Sequence, residues 1–176
     1  MLDSGDGGPI LRSEPYWETE AMAGTIDARL AALGIELPQP AAPVANYVPF
    51  TVSGNLVVVS GQICQWNGEL RFVGKLGAGV GIADGQQAAR LCALNVLAHL
   101  RVACGGDLDR VRRVLRLGGF VNCTPDFTDM PRVINGASDL MVEVFGDKGR
   151  HARAAVGVSS LPGGVAAEVE AIVELS

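Results

Sequence analysis

Arg153 stands at the head of the run "RAAVGVSS", and Glu168, Glu170 and Glu174 alternate along "AAEVEAIVEL". A Leu161-Pro162-Gly163-Gly164 turn separates the two runs. Both read as strands flanking the turn, and along a strand alternate residues face opposite ways. The pattern predicts a closing hairpin. On its first strand Ala154, Val156 and Val158 share one face, and Arg153, Ala155, Gly157 and Ser159 share the other. On the second, Ala167, Val169, Ala171 and Val173 oppose Glu168, Glu170, Ile172 and Glu174. Each strand is expected to turn its apolar face to helices. The other face is polar yet lined with small residues, which suits a cavity wall or a subunit interface. An arginine on such a wall can grip a carboxylate through two parallel charge-assisted hydrogen bonds. The same spacing also allows an internal ion pair from Arg153 to Glu168 or Glu170.

The elements that must position these residues read as follows. "TIDARLAALGI", residues 25–35, is helical, with Thr25 or Asp27 as its cap. "LPQPAAP", residues 37–43, is an extended linker. "NYVPFTVSGNLVVVSGQI" gives two strands about the turn Ser53-Gly54-Asn55. Its "LVVVS" is continuous and β-branched, so a central strand buried on both faces is expected. "NGELRFVGKLGAGVG" is a Gly-rich excursion with a short strand near residues 70–73.

Over residues 83–104 the period becomes helical, with Ala88, Leu91, Cys92, Leu94, Ala98 and Val102 on one stripe. Asp84 is the expected cap, and Gly105-Gly106 the stop. "DRVRRVLRLGGFVNC" is a strand, with a bulge or bend expected at Gly118-Gly119. A second helix spans 130–145 and stops at Gly146. Gly136 inside it costs about 1 kcal/mol against alanine, which implies close packing or a local break. The order β-β-(β)-α-β-α-β-β predicts an α+β fold, an antiparallel or mixed β-sheet with two helices packed on one face.

Residues 1–21 are polar, acidic and rich in glycine and proline. They read as a flexible or non-native N-terminal extension ahead of a single domain over 22–176. Charged residues make up only 19% against 48% hydrophobic, so some surface is expected to be covered by partner subunits. The net charge of −5 argues against a nucleic-acid partner, which needs a basic field. The cluster Arg110, Arg112, Arg113 and Arg116 reads as a solvated strand edge or helix start. Cys64, Cys92, Cys104 and Cys123 form no CxxC pair, and His99 and His151 are not spaced as ligands with them, so no metal site is expected. No export signal and no run of eighteen apolar residues is visible. A cytoplasmic chain with free thiols and no membrane partner is expected.

Three features together resemble the RidA (YjgF) family. They are Ser60-Gly61-Gln62 after a buried strand, Arg153 eight residues before a Leu-Pro turn, and the ending "EVEAIVEL". The resemblance covers residues 43–175. "NGASDLMVEVFGDKGRHARAAVG" is more similar to a divergent branch, labelled chorismate-mutase-like or endoribonuclease L-PSP-like. It implies a bacterial chorismate mutase-like fold and a homotrimer with a central β-barrel and sites in the clefts between subunits. It also implies hydrolytic deamination of reactive 2-enamine or 2-imine carboxylic acids. Arg153 would take the substrate carboxylate and Glu168 would orient or activate water. Tyr47, Ser60 and Gly61 would line the pocket, with Asn135 a further candidate from the second helix. The chemistry implies no cofactor, no metal and no Schiff-base lysine. Ala155 stands where many members carry cysteine, Asn135 aligns only across an insertion, and residues 66–81 are distinctive.

Other residues read more plainly. "GKLGAGVG" matches neither phosphate-loop pattern and reads as a loop near the cleft. His99 reads as a packed helix residue, Cys92 and Cys104 as core thiols, and His151, on the strand face of Arg153, as either an ordinary strand residue or a residue of the cleft rim. Two other functions compete with the deaminase. One is a non-catalytic trimer that binds a small carboxylate metabolite, which Ala155 favours. The other, more remote, is an endoribonuclease or translation inhibitor, against which the acidic charge and the lack of a catalytic histidine pair count. Chorismate mutase activity is weaker still, since likeness of fold does not carry chemistry.

Overall fold

The computed structural model describes residues 24–40 and 46–176. The expected extension at 1–21 lies outside them, as does most of the second half of the linker. The strands are β1 (Phe50–Ser53), β2 (Leu56–Ile63), β3 (Gln65–Trp66), β4 (Glu69–Leu70), β5 (Lys75–Leu76), β6 (Gly79–Val80), β7 (Val111–Asn122), β8 (Ala152–Val158) and β9 (Ala167–Leu175). The helices are α1 (Thr25–Ala32), α2 (Ile82–Ala103) and α3 (Met130–Phe145). The architecture is α+β, as expected. A five-stranded mixed sheet runs in the order β1-β2-β9-β7-β8.

The expected hairpin does not form. β8 and β9 lie on either side of β7, which pairs parallel with β8 and antiparallel with β9. The Leu-Pro-Gly-Gly segment is tied elsewhere: Gly74 N–H donates to Gly164 O (2.8 Å) and Ala166 N–H to Phe72 O (2.9 Å). Those bonds carry the chain across the end of β7 instead of folding it back on β8. β7, α3 and β8 form a crossover unit, which is how parallel neighbours are joined.

The faces of β9 follow the alternation. Ala167, Val169, Ala171 and Val173 are buried, while Glu168, Glu170, Ile172 and Glu174 are half-buried on the opposite face. The faces of β8 are reversed from expectation. Arg153 pairs with Leu117 and Ala155 with Gly119, both buried on the helix side. Val156 pairs with Phe120, which also pairs with Glu168, so Val156 belongs to the open face. As an edge strand β8 carries little core, so its own pattern could not say which side is in. β2 is also not buried on both faces: Val57 and Val59 are buried, whereas Leu56 is 38% and Val58 46% exposed.

α2 and α3 pack on each other and on one face of the sheet. Val133, Ile134, Ala137, Leu140, Met141 and Val144 of α3 are fully buried, the i, i+3, i+4 stripe of an amphipathic helix. Gly136 is a point of close approach and not a break, because a Cβ there would overlap the carbonyl of Gln86 in α2. Gly118 and Gly119 make no bulge; the register of β7 slips instead between Val111 and Arg113 and between Val114 and Arg116. The two glycines admit neighbours on opposite faces, Glu170 at Gly118 and Ile134 at Gly119. The caps differ too. Gly24 precedes α1 and Gly81 precedes α2, with Asp27 and Asp84 inside the first turns. Asp109 accepts from the N–H groups of Gly24, Thr25 and Ile26, so a distant carboxylate does the work of a local cap.

Candidate functional site

Two clusters form, on opposite faces of the sheet. The first surrounds Glu168. Its backbone pairs with Ile63 of β2 and Phe120 of β7. The β2 register slips between Val59 and Gln62, so Ser60 and Gly61 sit in the irregular stretch. Gly61 leaves the room that the Glu168 carboxylate occupies; a Cβ there would lie 2.9 Å from Glu168 Cδ. Ser60 Oγ donates to Val48 O (2.8 Å) and Ser60 N–H to Pro49 O (2.9 Å). Those bonds bring the segment bearing Tyr47 to the same end of the sheet, with Tyr47 51% exposed. Burial, helped by the neighbouring Glu170 charge, raises the Glu168 pKa above the ordinary carboxylate value. Glu170 itself is paired with Arg116 (2.8 Å).

The second cluster surrounds Arg153. Asn135 and Ser138 lie three residues apart on α3 and so share a face. Arg153 Nη1 donates to Asn135 Oδ1 (2.9 Å) and to Ser138 Oγ (3.1 Å). Ser138 Oγ lies 3.0 Å from His151 Nε2, and His151 Nδ1 lies 2.6 Å from Gly149 O. The carbonyl can only accept, so Nδ1 carries the proton and Nε2 accepts from the serine hydroxyl. Burial, with the Arg153 charge adding to it, lowers the His151 pKa against a weaker opposing pull from the Gly149 carbonyl. The chain of bonds therefore runs from Arg153 through Ser138 to a neutral His151. Ala155 follows on the same strand face, paired with Gly119.

Arg153 makes no ion pair among the described residues. The internal bridge to Glu168 or Glu170 does not form, because the strand between them puts the charges on opposite faces. The residues expected in one pocket thus fall into two groups. Arg153, Asn135 and Ala155 form one; Glu168, Gly61 and Ser60, with Tyr47 on the tethered segment, form the other. Ser138 was not anticipated. Its only signal was its position one turn after Asn135. His99 is buried within α2, and all four cysteines are buried free thiols. Among the described residues no group of three or more His, Cys, Asp or Glu side chains could hold a metal ion. No helix among them is long and apolar enough to cross a membrane.

The fold and these clusters define a class. A family model described as "YjgF/chorismate_mutase-like, putative endoribonuclease" matches residues 27–174. The chain belongs to this family. It is 50% identical over 155 residues to Protein TCP17 of Trypanosoma cruzi, covering 88% of this chain and 96% of that one. Among solved structures it is similar to Atu1372 from Agrobacterium tumefaciens, a protein of unknown function. There the identity is 49% and the TM-score 0.81, covering 88% of this chain and 96% of that chain. It is also similar to a "putative endoribonuclease" from Shewanella oneidensis, at 38% identity and TM-score 0.82, covering 86% and 99%.

Proposed function

We propose that the chain is a hydrolytic deaminase of reactive 2-enamine and 2-imine carboxylic acids, working as a homotrimer with its sites in the clefts between subunits. The observation that carries this reading is the exposed Arg153 guanidinium, held by the neutral acceptors Asn135 and Ser138 and free of any ion pair among the described residues. A guanidinium oriented in this way is prepared for a carboxylate ligand.

The separation of the clusters supports a shared site. One chain's Arg153 lies on the helix side at edge strand β8, and Glu168 lies on the open face. A second copy would bring its Tyr47, Ser60, Gly61 and Glu168 to the first copy's Arg153. The open face exposes Leu56, Val58 and Val156, the composition of a surface that packs against other sheets in a central barrel.

In this reading Arg153 holds the substrate carboxylate and Glu168 positions a water. The water oxygen bonds to the imine carbon and its proton passes through the Glu168 carboxyl to the nitrogen. The hydroxyl proton of the resulting carbinolamine then passes by way of Glu168 to the amino group, the C–N bond breaks as the C=O bond forms, ammonia leaves, and a 2-keto acid is released. A carboxyl whose pKa is raised toward neutrality is better matched to taking and returning that proton. An imine is already electrophilic, so orientation supplies much of the acceleration.

Ala155 favours a second reading. With no thiol beside Arg153, a trimer could bind a small carboxylate metabolite without turning it over. An RNA-cleaving role finds less support. The net charge is −5, and Arg112 and Arg116 are paired with Glu174 and Glu170. The test is release of keto acid and ammonia from 2-aminoacrylate generated in situ. Acceleration lost in Arg153→Ala and Glu168→Ala, with trimer mass retained, is the expected result. A well-folded trimer that gives no acceleration overturns the deaminase reading and leaves the binding one.

A further inference from the structure

The Gly-rich segment before α2 has no part in the chemistry above, yet it is built into the fold. Leu76 is fully buried, and its carbonyl accepts from Thr124 N–H (3.0 Å). Gly74 and Gly77 take φ values of 136° and 85°, in the region that favours glycine. The result is a fixed position for Lys75. Its Nζ donates to Asn122 Oδ1 (2.7 Å) and to Ser159 O. Asn122 is itself buried, and its Nδ2 faces the carbonyls of Gly74, Gly164 and Val165, which turns Oδ1 toward the lysine.

Lys75 opens on a cavity of about 570 Å³, walled by Phe127, Met130 and Val158 with Cys123 and Gly157 among its lining. That is the size of a small-ligand pocket. We propose that this cavity is a binding site for a small amphipathic monocarboxylate with an aromatic or branched body, its carboxylate on Lys75. The half-buried ammonium has only neutral acceptors and makes no ion pair among the described residues. It has three N–H groups and gives two of them to the protein. A partly desolvated cation without a counter-charge favours an anion. Lys75 is the one basic residue of the lining, which fits a single carboxylate better than a doubly charged phosphate. The apolar walls take the body, and Gly157 keeps the space open beside Cys123 and Met130.

The site is separate from the Arg153 cluster and does not depend on catalysis there. Gly157, the lining residue of β8 nearest to Arg153, lies four residues beyond it, about 13 Å at the rise of a strand, and Lys75 is held two residues further on, at Ser159.

The test is fluorescence titration with 1-naphthoate, with 1-naphthamide as its uncharged counterpart. Saturable binding of naphthoate at one per chain is expected, at least tenfold tighter than the amide. Lys75→Met should weaken it at least tenfold, and Arg153→Ala should leave it within twofold. Naphthoate should also slow iodoacetamide alkylation of Cys123, the thiol that lines the cavity. Absence of binding overturns the proposal, as does equal binding of the amide. Loss in Arg153→Ala, with Cys123 alkylation unchanged, also overturns it and places the ligand in the cleft. The amide comparison uses the unmodified protein, so misfolding of Lys75→Met cannot hide the answer.

Discussion

Gly61 and the carboxylate of Glu168 occupy adjoining space so tightly that no side chain fits between them. A Cβ at Gly61 would overlap Glu168 Oε1 and lie 3.2 Å from Cγ. The glycine is set by the position of a carboxylate on the neighbouring strand β9, and not by its own φ. Gly61→Ala should displace the carboxyl by a fraction of a side-chain length. Turnover in the proposed deaminase reaction should fall about 100-fold, the scale of an ångström misplacement. Overpacking should cost about 1–3 kcal/mol. Urea unfolding alongside the rate assay separates the two, and an alanine variant with full turnover would remove Gly61 from the site.

Glu168 also opposes stability when charged. Burial and the Glu170 charge raise its pKa in the folded chain above 4.5. The folded state therefore binds the proton more tightly than the unfolded one. The stabilising contribution is full below the unfolded value and is lost as pH rises through the folded value. Glu168→Gln should raise the melting temperature at pH 7 to 8 and have little effect at pH 4. Turnover should disappear in the same variant. A melting temperature that falls at pH 8 would show that the ionised carboxylate is net favourable where it stands.

Much of this was legible before the structure, and the largest miss traces to one strand. α2, α3 and β9 carry strong periodic patterns because each buries a full apolar stripe. β8 carries none, since an edge strand of small residues reads equally well with either face inward. Its register with β7, Arg153 beside Leu117, is set by the crossover through α3 and not by local alternation. That single ambiguity turned two strands into a hairpin and put Arg153 on the face of Glu168. Ser138 was invisible for a related reason. A serine three residues from Asn135 means nothing until α3 is known to cross the start of β8. Gly118 and Gly119 were conspicuous, but two glycines in a strand report close neighbours as readily as a bulge.

The direction of the bond between Ser138 and His151 depends on the charge of the imidazole, which as a cation would donate to the serine oxygen. Protonated Nε2 can no longer accept from the serine hydroxyl, and the new charge faces the Arg153 guanidinium. Burial already lowers the His151 pKa in the folded chain. Stability from this group is full above the unfolded value of 6.5 and falls as pH drops through the folded value. Burial of His99 acts in the same direction. KM for the proposed imine-acid substrate should rise below about pH 6.5 while kcat changes less. Ser138→Ala should raise KM at neutral pH and blunt that dependence. An unchanged KM profile in Ser138→Ala would make the bond chain structural only.

Gly136→Ala separates helix propensity from packing. In an exposed helix interior alanine is better than glycine by about 1 kcal/mol. At Gly136 the new Cβ would overlap the carbonyl oxygen of Gln86 and lie 2.7 Å from its carbonyl carbon. These are backbone atoms of α2, where a Cβ at the neighbouring Gly85 would also come within 3.0 Å of Leu76 and 3.1 Å of Val133. A side chain could rotate away, but a helix backbone can yield only by moving the helix. The substitution should therefore destabilise by about 1–3 kcal/mol, the cost of overpacking, reversing the sign that propensity alone predicts. It should also loosen α3, which carries Asn135 and Ser138 to Arg153. Chemical denaturation reads the first effect, and KM at unchanged oligomer mass reads the second. A stabilised variant would show that α2 and α3 part freely at this crossing.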